Sequence, residues 1–453
     1  MPNKLPYKRV YFLGIGGIGM SGLARYCLAH GMEVIGYDRT ENKIVKALRN
    51  EGAQIHFSQE IKDFPELNPN TDLVVYTPAV PSSHPHFAEV SKQGLRLKKR
   101  AEFLGEISEN HKVLAVAGTH GKTTTSAMLA WILKDNGKKP WAFLGGLANN
   151  FNSNYLQGDS ELMVIEADEF DRSFLHLQPN AAVVTSTDAD HLDIYKSHSD
   201  LLDTFNVFVE KVLSQNKGMV IAEKSTPVKR SHDYGLKAGD FFMENLRVNS
   251  GIQNFDLIHK GGRTPVELPM PGEYNALNAM AAMALANYVG VIFEDGAKSM
   301  SRFEGIYRRF EIHANTSLGA YVDDYAHHPT ELKSAIQGGK SAFPDFKSLV
   351  IFQPHLFSRT RDFMIDFGKA FQGVDEVWLM PIYPAREEPI PGVSSEKLSS
   401  LVATKSQVLS SEEILKRAEE IEDKTLVMTL GAGDIDQIVQ PLDEIFKRKW
   451  LKK

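Results

Sequence analysis

Residues 112–136 read KVLAVAGTHGKTTTSAMLAWILKDN, and this stretch leaves few folds open to the chain. Val113–Ala117 is an uninterrupted apolar run, as a strand buried on both faces requires. A glycine turn follows at once: Gly118, Thr119, His120, Gly121, Lys122, Thr123 and Thr124. Met128, Leu129, Trp131, Ile132 and Leu133 then recur at helical spacing, and Gly137 marks the stop. Strand, turn and helix together make a phosphate cradle. Small residues let backbone N–H groups approach an anion, and the helix N-terminus adds partial positive charge. Lys122 can reach terminal phosphates, and the Thr123 hydroxyl can bind Mg²⁺. The general pattern asks for an earlier glycine, where this chain has Val116. An ordinary glycine turn entering a helix is the alternative reading. The strand before it and the helix after it argue for the cradle.

A second glycine turn lies near the amino terminus. Arg9–Gly14 reads as a strand, Gly14-Ile15-Gly16-Gly17-Ile18-Gly19 as the turn, and Met20–His30 as a helix. Glu33–Tyr37 is a second strand that ends at Asp38. This is the dinucleotide fingerprint, and taken alone it predicts NAD. The physics is broader, because such a turn binds any diphosphate. Asp72–Thr77 continues the same unit, Arg96–Lys99 is a short last strand, and Ala101–Glu109 leads out as a helix.

After the cradle, Leu162–Ile165 is a buried strand ending in Glu166, Asp168, Glu169 and Asp171. Ala181–Thr185 is another, followed by Asp188, Asp190, His191 and Asp193. Ligands gather at the carboxyl ends of parallel strands, so these ends point to one ATP–Mg²⁺ site. A carboxylate directly after a strand suits Mg²⁺, which takes oxygen ligands. His191 reads equally as a second-metal ligand or a hydrogen-bonded structural histidine. Asn275 and Asn278 lie on one helical face, where they either contact ATP or cap and pack. Phe303–Phe310 reads as a basic linker whose Arg308 and Arg309 bind phosphate or stay solvated.

A third α/β alternation starts at Ala320. Ala320–Val322, Leu349–Phe352, Val377–Met380 and Leu426–Thr429 are strands, each feeding polar residues onto one edge. Those loops carry His327 and His328, then His355 and Arg359, then Arg386, then Asp434. The whole chain of 453 residues has the composition of a globular protein, 42% hydrophobic and 24% charged. Its net charge of −6 and lack of a long basic run argue against a nucleic-acid scaffold. One cysteine, Cys27, allows no internal disulfide, which fits a reducing cytoplasm. No signal peptide and no membrane-spanning run is read, so no membrane insertion is expected.

Nine stretches together carry a resemblance: GIGGIGMSGLA, AGTHGKTTT, EADEFDRSFLHLQP, DADHLDIY, NALNA, DDYAHHPTE, FQPHLFSRTRD, YPAREEPIPG and GAGDI. Over nearly its whole length the chain resembles the Mur ligases of peptidoglycan synthesis, whose cradle has this shortened form. It looks most like the branch that joins L-alanine to UDP-N-acetylmuramate. The resemblance implies an α/β fold of three domains: a Rossmann-like domain over residues 1–110, a central P-loop ATPase domain over 111–312, and a Rossmann-like carboxyl-terminal domain over 313–453. It implies that the first domain binds a UDP-sugar rather than NAD, through Gly16, Gly17, Ile18, Gly19, Asp38 and Thr77. ATP would meet the cradle residues, Asn278 and Arg309; Lys122 would bind its β/γ-phosphates. Thr123 and Glu166 would hold the first Mg²⁺ and His191 a second metal. His355 and Arg359 would lie on the amino-acid side, with His327 or His328 as the base. A monomer or homodimer is expected.

Two positions depart from the family. Tyr274 stands where the asparagine helix usually opens with histidine, and no lysine occupies Thr204-Phe205-Asn206, near where related enzymes carry a carbamylated one. Four other readings compete. A muropeptide-recycling ligase would attach a tripeptide to the same sugar. A folylpolyglutamate synthase-like ligase lacks the amino-terminal glycine-rich domain. A non-catalytic nucleotide-binding regulator or an NAD oxidoreductase would not need the carboxylates and histidine that follow the cradle.

Overall fold

Each glycine turn read from the sequence closes a parallel strand–helix unit, and the strands assemble into three sheets. The computed structural model describes residues 5–188, 194–195, 197–249, 251–385 and 387–451. The first sheet runs Gln54–His56, Glu33–Tyr37, Arg9–Leu13, Asp72–Tyr76, Arg96–Lys99, all parallel. Its order reverses at Arg9–Leu13, and a crevice opens beyond the carboxyl ends of strands at such a point.

The second sheet places Lys112–Ala117 between Leu162–Glu166 and Ala181–Val184, both parallel to it. Val113 through Ala117 are fully buried, as an apolar run covered on both faces must be. Trp141–Ala148 lies beyond Leu162–Glu166, with Ser153–Leu156 antiparallel at the edge. On the other side come Met219–Glu223 and His232–Gly235, then Phe241–Asn249, Ile252–His259 and Gly262–Leu268. The third sheet runs Glu311–Asn315, Gly319–Asp324, Thr425–Leu430, Lys347–Phe352, Glu376–Leu379, Lys405–Val408. Only Glu311–Asn315 is antiparallel in it.

The chain divides into two compact units. One comprises Met1–Met243, Leu257–Thr264 and Leu277–Met300; the other comprises Glu244–Asp256, Pro265–Ala276 and Ser301–Lys453. Within the first unit, the first and second sheets share one core. Met20, Leu23, Tyr26 and Cys27 of the helix Ile18–Ala29 join Trp141, Phe143, Tyr155 and Met163. Tyr26 meets Trp141 edge-on with ring centroids 5.5 Å apart. Burying each large side chain here stabilises by roughly 1.5–3 kcal/mol. That packing fixes the amino-terminal glycine turn near the end of Leu162–Glu166. The second unit has its own core, in which Trp378, Phe446 and Trp450 pack with Ile351 and Val427. Among the described residues no helix is long and apolar enough to cross a membrane.

Several elements escaped the sequence reading. Trp141–Ala148, Ser153–Leu156, Gln54–His56, Lys405–Val408 and Glu311–Asn315 are strands. Trp141–Ala148 opens with the apolar run Trp141–Leu144 but is interrupted by Gly145 and Gly146; the other four are short, and none shows a clear apolar run. The helix Ile18–Ala29 begins inside the glycine turn rather than at Met20. Phe303–Phe310 is not a solvated basic linker at Arg308. That side chain is buried, its Nε donates to Asp323 Oδ2 at 2.8 Å, and its Nη2 donates to the Gly431 carbonyl at 2.8 Å. A charged side chain taken out of water needs such partners.

Three histidines sit together in the first sheet's domain. The Tyr11 hydroxyl lies 2.8 Å from His86 Nδ1 and 3.2 Å from His56 Nε2, and the His84 and His86 rings meet edge-on. Burial lowers the pKa of His56 and His84 and takes His86 down to about 4. Below the ordinary histidine value of about 6.5 the unfolded chain therefore binds more protons, and stability falls as pH drops toward 4. Urea denaturation between pH 7 and pH 4.5 should show a falling midpoint. His86→Gln should flatten that fall; an unchanged slope would remove His86 from the account.

Candidate active site

The phosphate turn is shaped by two glycines in left-handed backbone. Gly118 has φ 134° and Gly121 has φ 79°, conformations that cost an L side chain roughly 1–2 kcal/mol. Space is also short. A Cβ on Gly118 would meet Thr185 Oγ1 at 2.1 Å, and one on Gly121 would meet Asn278 Oδ1 at 2.6 Å. Ser186 holds the outer side of the turn, its hydroxyl 2.9 Å from Thr119 Oγ1 and accepting the His120 N–H at 2.8 Å. The helix Lys122–Asp135 starts from Gly121 without a side-chain cap. Its first N–H groups therefore keep the donor capacity that suits a phosphate.

Lys122 Nζ donates to Glu169 Oε1 at 2.8 Å and to the Gly118 carbonyl at 2.6 Å. Burial pulls the lysine pKa down, but the charges of Glu169, Asp168 and Glu166 outweigh it and the net shift is upward. The ammonium stays charged. Glu166 stands at the end of Leu162–Glu166. Its Oε2 accepts the Gly145 N–H at 2.7 Å, and Thr123 Oγ1 donates to its Oε1 at 3.0 Å. A Cβ on Gly145 would come within 2.2 Å of this carboxylate, so the glycine makes room for it. Burial raises the Glu166 pKa, which marks a carboxylate short of compensating positive charge. Two hard oxygens, Thr123 Oγ1 and a Glu166 carboxylate steered by one backbone N–H, form a donor pair that fits Mg²⁺.

In the amino-terminal turn, Asp38 does local work. Its Oδ2 accepts the Gly16 N–H at 2.8 Å and its Oδ1 accepts the Thr40 N–H at 3.3 Å. These bonds fix the Asp38 carboxylate against the turn, at the strand end where a nucleotide ribose would lie. Thr77 closes the neighbouring strand end, its methyl 2.7 Å from where a Gly14 Cβ would fall. Gly17 caps the helix Ile18–Ala29 with no side-chain bond and no acid in the first turn. The Ile18 and Gly19 N–H groups belong to that electropositive end.

Within the second unit, the loop after Gly319–Asp324 carries His327 and His328. His328 Nδ1 accepts the Thr330 N–H at 3.4 Å and caps the helix Pro329–Ala342. His327 Nδ1 lies 3.0 Å from the Tyr325 carbonyl, and the ring centroid is 6.1 Å from that of His355. Burial lowers the His327 pKa and takes His355 down to about 4. Arg359 lies in the helix Phe357–Asp362. Asp324 accepts N–H groups from Phe310 and Ala326, both at 2.7 Å, and burial raises it to about 6. The Arg309 guanidinium sits 5.2 Å over the Tyr325 ring.

Thus the structure brings Gly118–Thr124, Glu166 and Asn278 together, with Thr125 Oγ1 donating to Asn278 Oδ1 at 3.1 Å. It gathers Gly16, Gly17, Ile18, Gly19, Asp38 and Thr77 at one sheet edge. His327, His328, His355, Arg359 and Arg309 lie in the second unit. His191 and Arg386 lie outside the described residues. Sequence reasoning passed over Glu169, Ser186, Gly145 and Arg100. Glu169 was visible as part of an acidic run, but nothing local singled it out from Asp168 and Asp171.

A phosphate turn with an adjoining carboxylate and a second, diphosphate-type glycine turn define an α/β protein with two phosphate-binding edges. Three family models match: "Mur ligase family, catalytic domain" over residues 9–112, "Mur ligase middle domain" over 116–286, and "Mur ligase, glutamate ligase domain" over 308–433. The chain belongs to the Mur ligase family. It is 43% identical over 451 residues to the UDP-N-acetylmuramate–L-alanine ligase of Porphyromonas gingivalis, covering 96% of this chain and 98% of that protein. The crystal structure of UDP-N-acetylmuramate-alanine ligase from Thermotoga maritima aligns with a TM-score of 0.82 and 27% identity, covering 98% of this chain and all of that one. A murein peptide ligase from Psychrobacter arcticus aligns with a TM-score of 0.68 and 25% identity, covering 97% and 98%.

Gly121→Ala should lower the thermal midpoint and weaken nucleotide binding together, since the new methyl group strains the turn and collides with Asn278. The backbone strain alone costs roughly 1–2 kcal/mol. Calorimetry with and without nucleotide measures both. A variant that binds nucleotide as the parent does would show that the turn is not the cradle.

Proposed function

We propose that the chain joins L-alanine to the lactyl carboxylate of UDP-N-acetylmuramate, with ATP split to ADP and phosphate. The observation that carries the reading is the placement of Lys122 against Glu169 and of Thr123 against Glu166, in the same compact unit as the uncapped amino-terminal turn. The near-full-length likeness to relatives named for this ligation supports the choice of substrates.

The first step transfers the γ-phosphoryl group to the lactyl carboxylate and gives an acyl phosphate. Phosphoryl transfer is mostly positioning plus electrostatic stabilisation, so the fixed charge of Lys122 matters most. Lys122 lies within its own turn, where it would meet the β- and γ-phosphates. Thr123 and Glu166 would hold Mg²⁺, which, when bound, neutralises phosphate charge. The helix N-terminus at Lys122 and the first-turn N–H groups at Ile18 and Gly19 would take the phosphates of ATP and of the UDP-sugar.

The second step is attack of the alanine amine on the acyl phosphate, which requires the amine to lose a proton. His327 suits this better than His328. The hydrogen bond to the Tyr325 carbonyl fixes its proton on Nδ1 and leaves Nε2 as acceptor. Its lowered pKa keeps the ring neutral near pH 7. His328 has committed its Nδ1 lone pair to the helix cap. His355 and Arg359 would line the amino-acid side. A cytoplasmic reaction belongs to the same reading, since ATP is supplied there.

Purified protein with ATP, Mg²⁺ and UDP-N-acetylmuramate, offered L-alanine, L-serine, glycine or the alanyl-glutamyl-diaminopimelate tripeptide, tests the proposal. Phosphate release and product mass are read together. A product carrying one alanine, formed only with the UDP-sugar, is expected. Serine and glycine should be poorer, since one methylene distinguishes neighbours by about 1–3 kcal/mol. Product with the tripeptide and none with alanine would assign the protein to muropeptide recycling instead. Lys122→Ala should lower turnover by about 10²–10³, the usual worth of one charge-stabilising donor. Glu166→Gln should raise the Mg²⁺ concentration needed for activity; an unchanged Mg²⁺ dependence would remove that residue from the metal site.

A further inference from the structure

A cavity of about 130 Å³ opens between the helix Ile18–Ala29 and the carboxyl end of Leu162–Glu166. Gly19, Arg100, Asn154, Glu166 and Asp168 are among the residues that line it. Gly19 belongs to the amino-terminal turn, and Glu166 belongs to the phosphate-transfer side. The cavity is therefore walled by both cradles. Two of its lining residues are carboxylates, and Arg100 is the single cation among the described residues that line it.

Arg100 opens the helix Arg100–Ser108, and its side chain lies close to Gly19. A side chain at Gly19 would meet Arg100 Nη1 at 2.5 Å and Cζ at 3.2 Å. The third glycine of the turn thus makes room for a guanidinium. Arg100 is held loosely: Nη2 reaches Asp168 Oδ2 at 3.3 Å, with the side chains 23% and 34% exposed. A committed arginine–carboxylate pair is shorter and commonly two-pronged. A fork of five donors that makes one long bond in an acid-walled cavity has capacity left for a ligand anion.

We infer that Arg100 binds the free carboxylate of the nucleotide-sugar and determines preference for a sugar that carries one. This rests on the function proposed above. A carboxylate extended from the amino-terminal turn toward the phosphate-transfer side must enter this cavity. There Glu166 and Asp168 repel it, and Arg100 is the one cationic side chain among the described lining residues that offsets that repulsion. The planar fork takes both carboxylate oxygens and fixes which way they face. Asp168, now the weak partner, is displaced.

Titration calorimetry tests the inference with two probes, UDP-N-acetylmuramate and UDP-N-acetylglucosamine, which lacks the lactyl carboxylate. The parent protein should prefer the first. Arg100→Gln should weaken UDP-N-acetylmuramate binding roughly ten- to hundredfold, the loss expected for charge-assisted hydrogen bonds, and leave UDP-N-acetylglucosamine binding unchanged. Unchanged binding of the second probe also shows that the variant is folded. Arg100→Lys should recover part of the preference, because it keeps the charge without the fork. Equal weakening toward both probes would show a structural role and overturn the inference. So would a Gln variant that keeps the parent's preference. If the parent itself has no preference and forms no alanine product, the proposed function fails as well; a parent that forms product while Arg100→Gln discriminates normally sinks this inference alone.

Discussion

Lys122 holds a positive charge where water barely reaches it. Its side chain is 13% exposed, and that of Glu169 is fully buried. Desolvating two such groups costs several kcal/mol each, and only close geometry recovers it. The turn supplies that geometry. The same ammonium that meets Glu169 also meets the Gly118 carbonyl, so the charge pair and the glycine backbone fix each other. Left-handed backbone at Gly118 and Gly121 is what aims the carbonyl inward and leaves the helix N–H groups facing out. The phosphate-turn edge of the second sheet is arranged around this buried pair.

The neighbouring carboxylate follows from the same sheet. Leu162–Glu166 lies directly beside Lys112–Ala117 in parallel register, with Glu166 opposite Val116. Its terminal side chain therefore arrives beside the first residues of the turn. Gly145 in the next strand over leaves space for the carboxylate and donates an N–H to it. Three adjacent strands thus contribute turn, acid and donor. None of these groups alone defines a site for a nucleotide and a hard cation.

The first sheet is brought to this edge by apolar packing, with the ion pairs Lys99–Asp171 and Arg100–Asp168 beside it. Tyr26 and Gly22 on one face of the helix Ile18–Ala29 lie against Trp141 and Phe143. Dispersion and burial hold that face, and the N-terminal end of the same helix looks toward Glu166 across the cavity. Arg100 reaches the site from the first residue of the helix Arg100–Ser108, which begins directly after Arg96–Lys99. The outer strands of the second sheet thus serve as scaffold for the first.

What could be read from the sequence was local. Val113–Ala117, the glycines, Lys122 and Thr123 are contiguous, and steric rules fix their backbone without outside help. Glu166 was legible as the first polar residue after an apolar run. The amino-terminal turn was legible too, but that Asp38 binds back onto the turn through the Gly16 N–H was not. The nine family stretches carried the three-domain α/β architecture and the ligase chemistry, because most of them join a strand end to its loop. Tertiary structure alone decided which acid of 166–171 faces Lys122, that Arg308 is buried against Asp323, and that Arg100 rests on Gly19 beside Asp168. Arg100 and Asp168 are 68 residues apart in sequence. Short-range propensity carries no information about such pairs; they are set by how helices and sheets pack, which depends on the whole core at once.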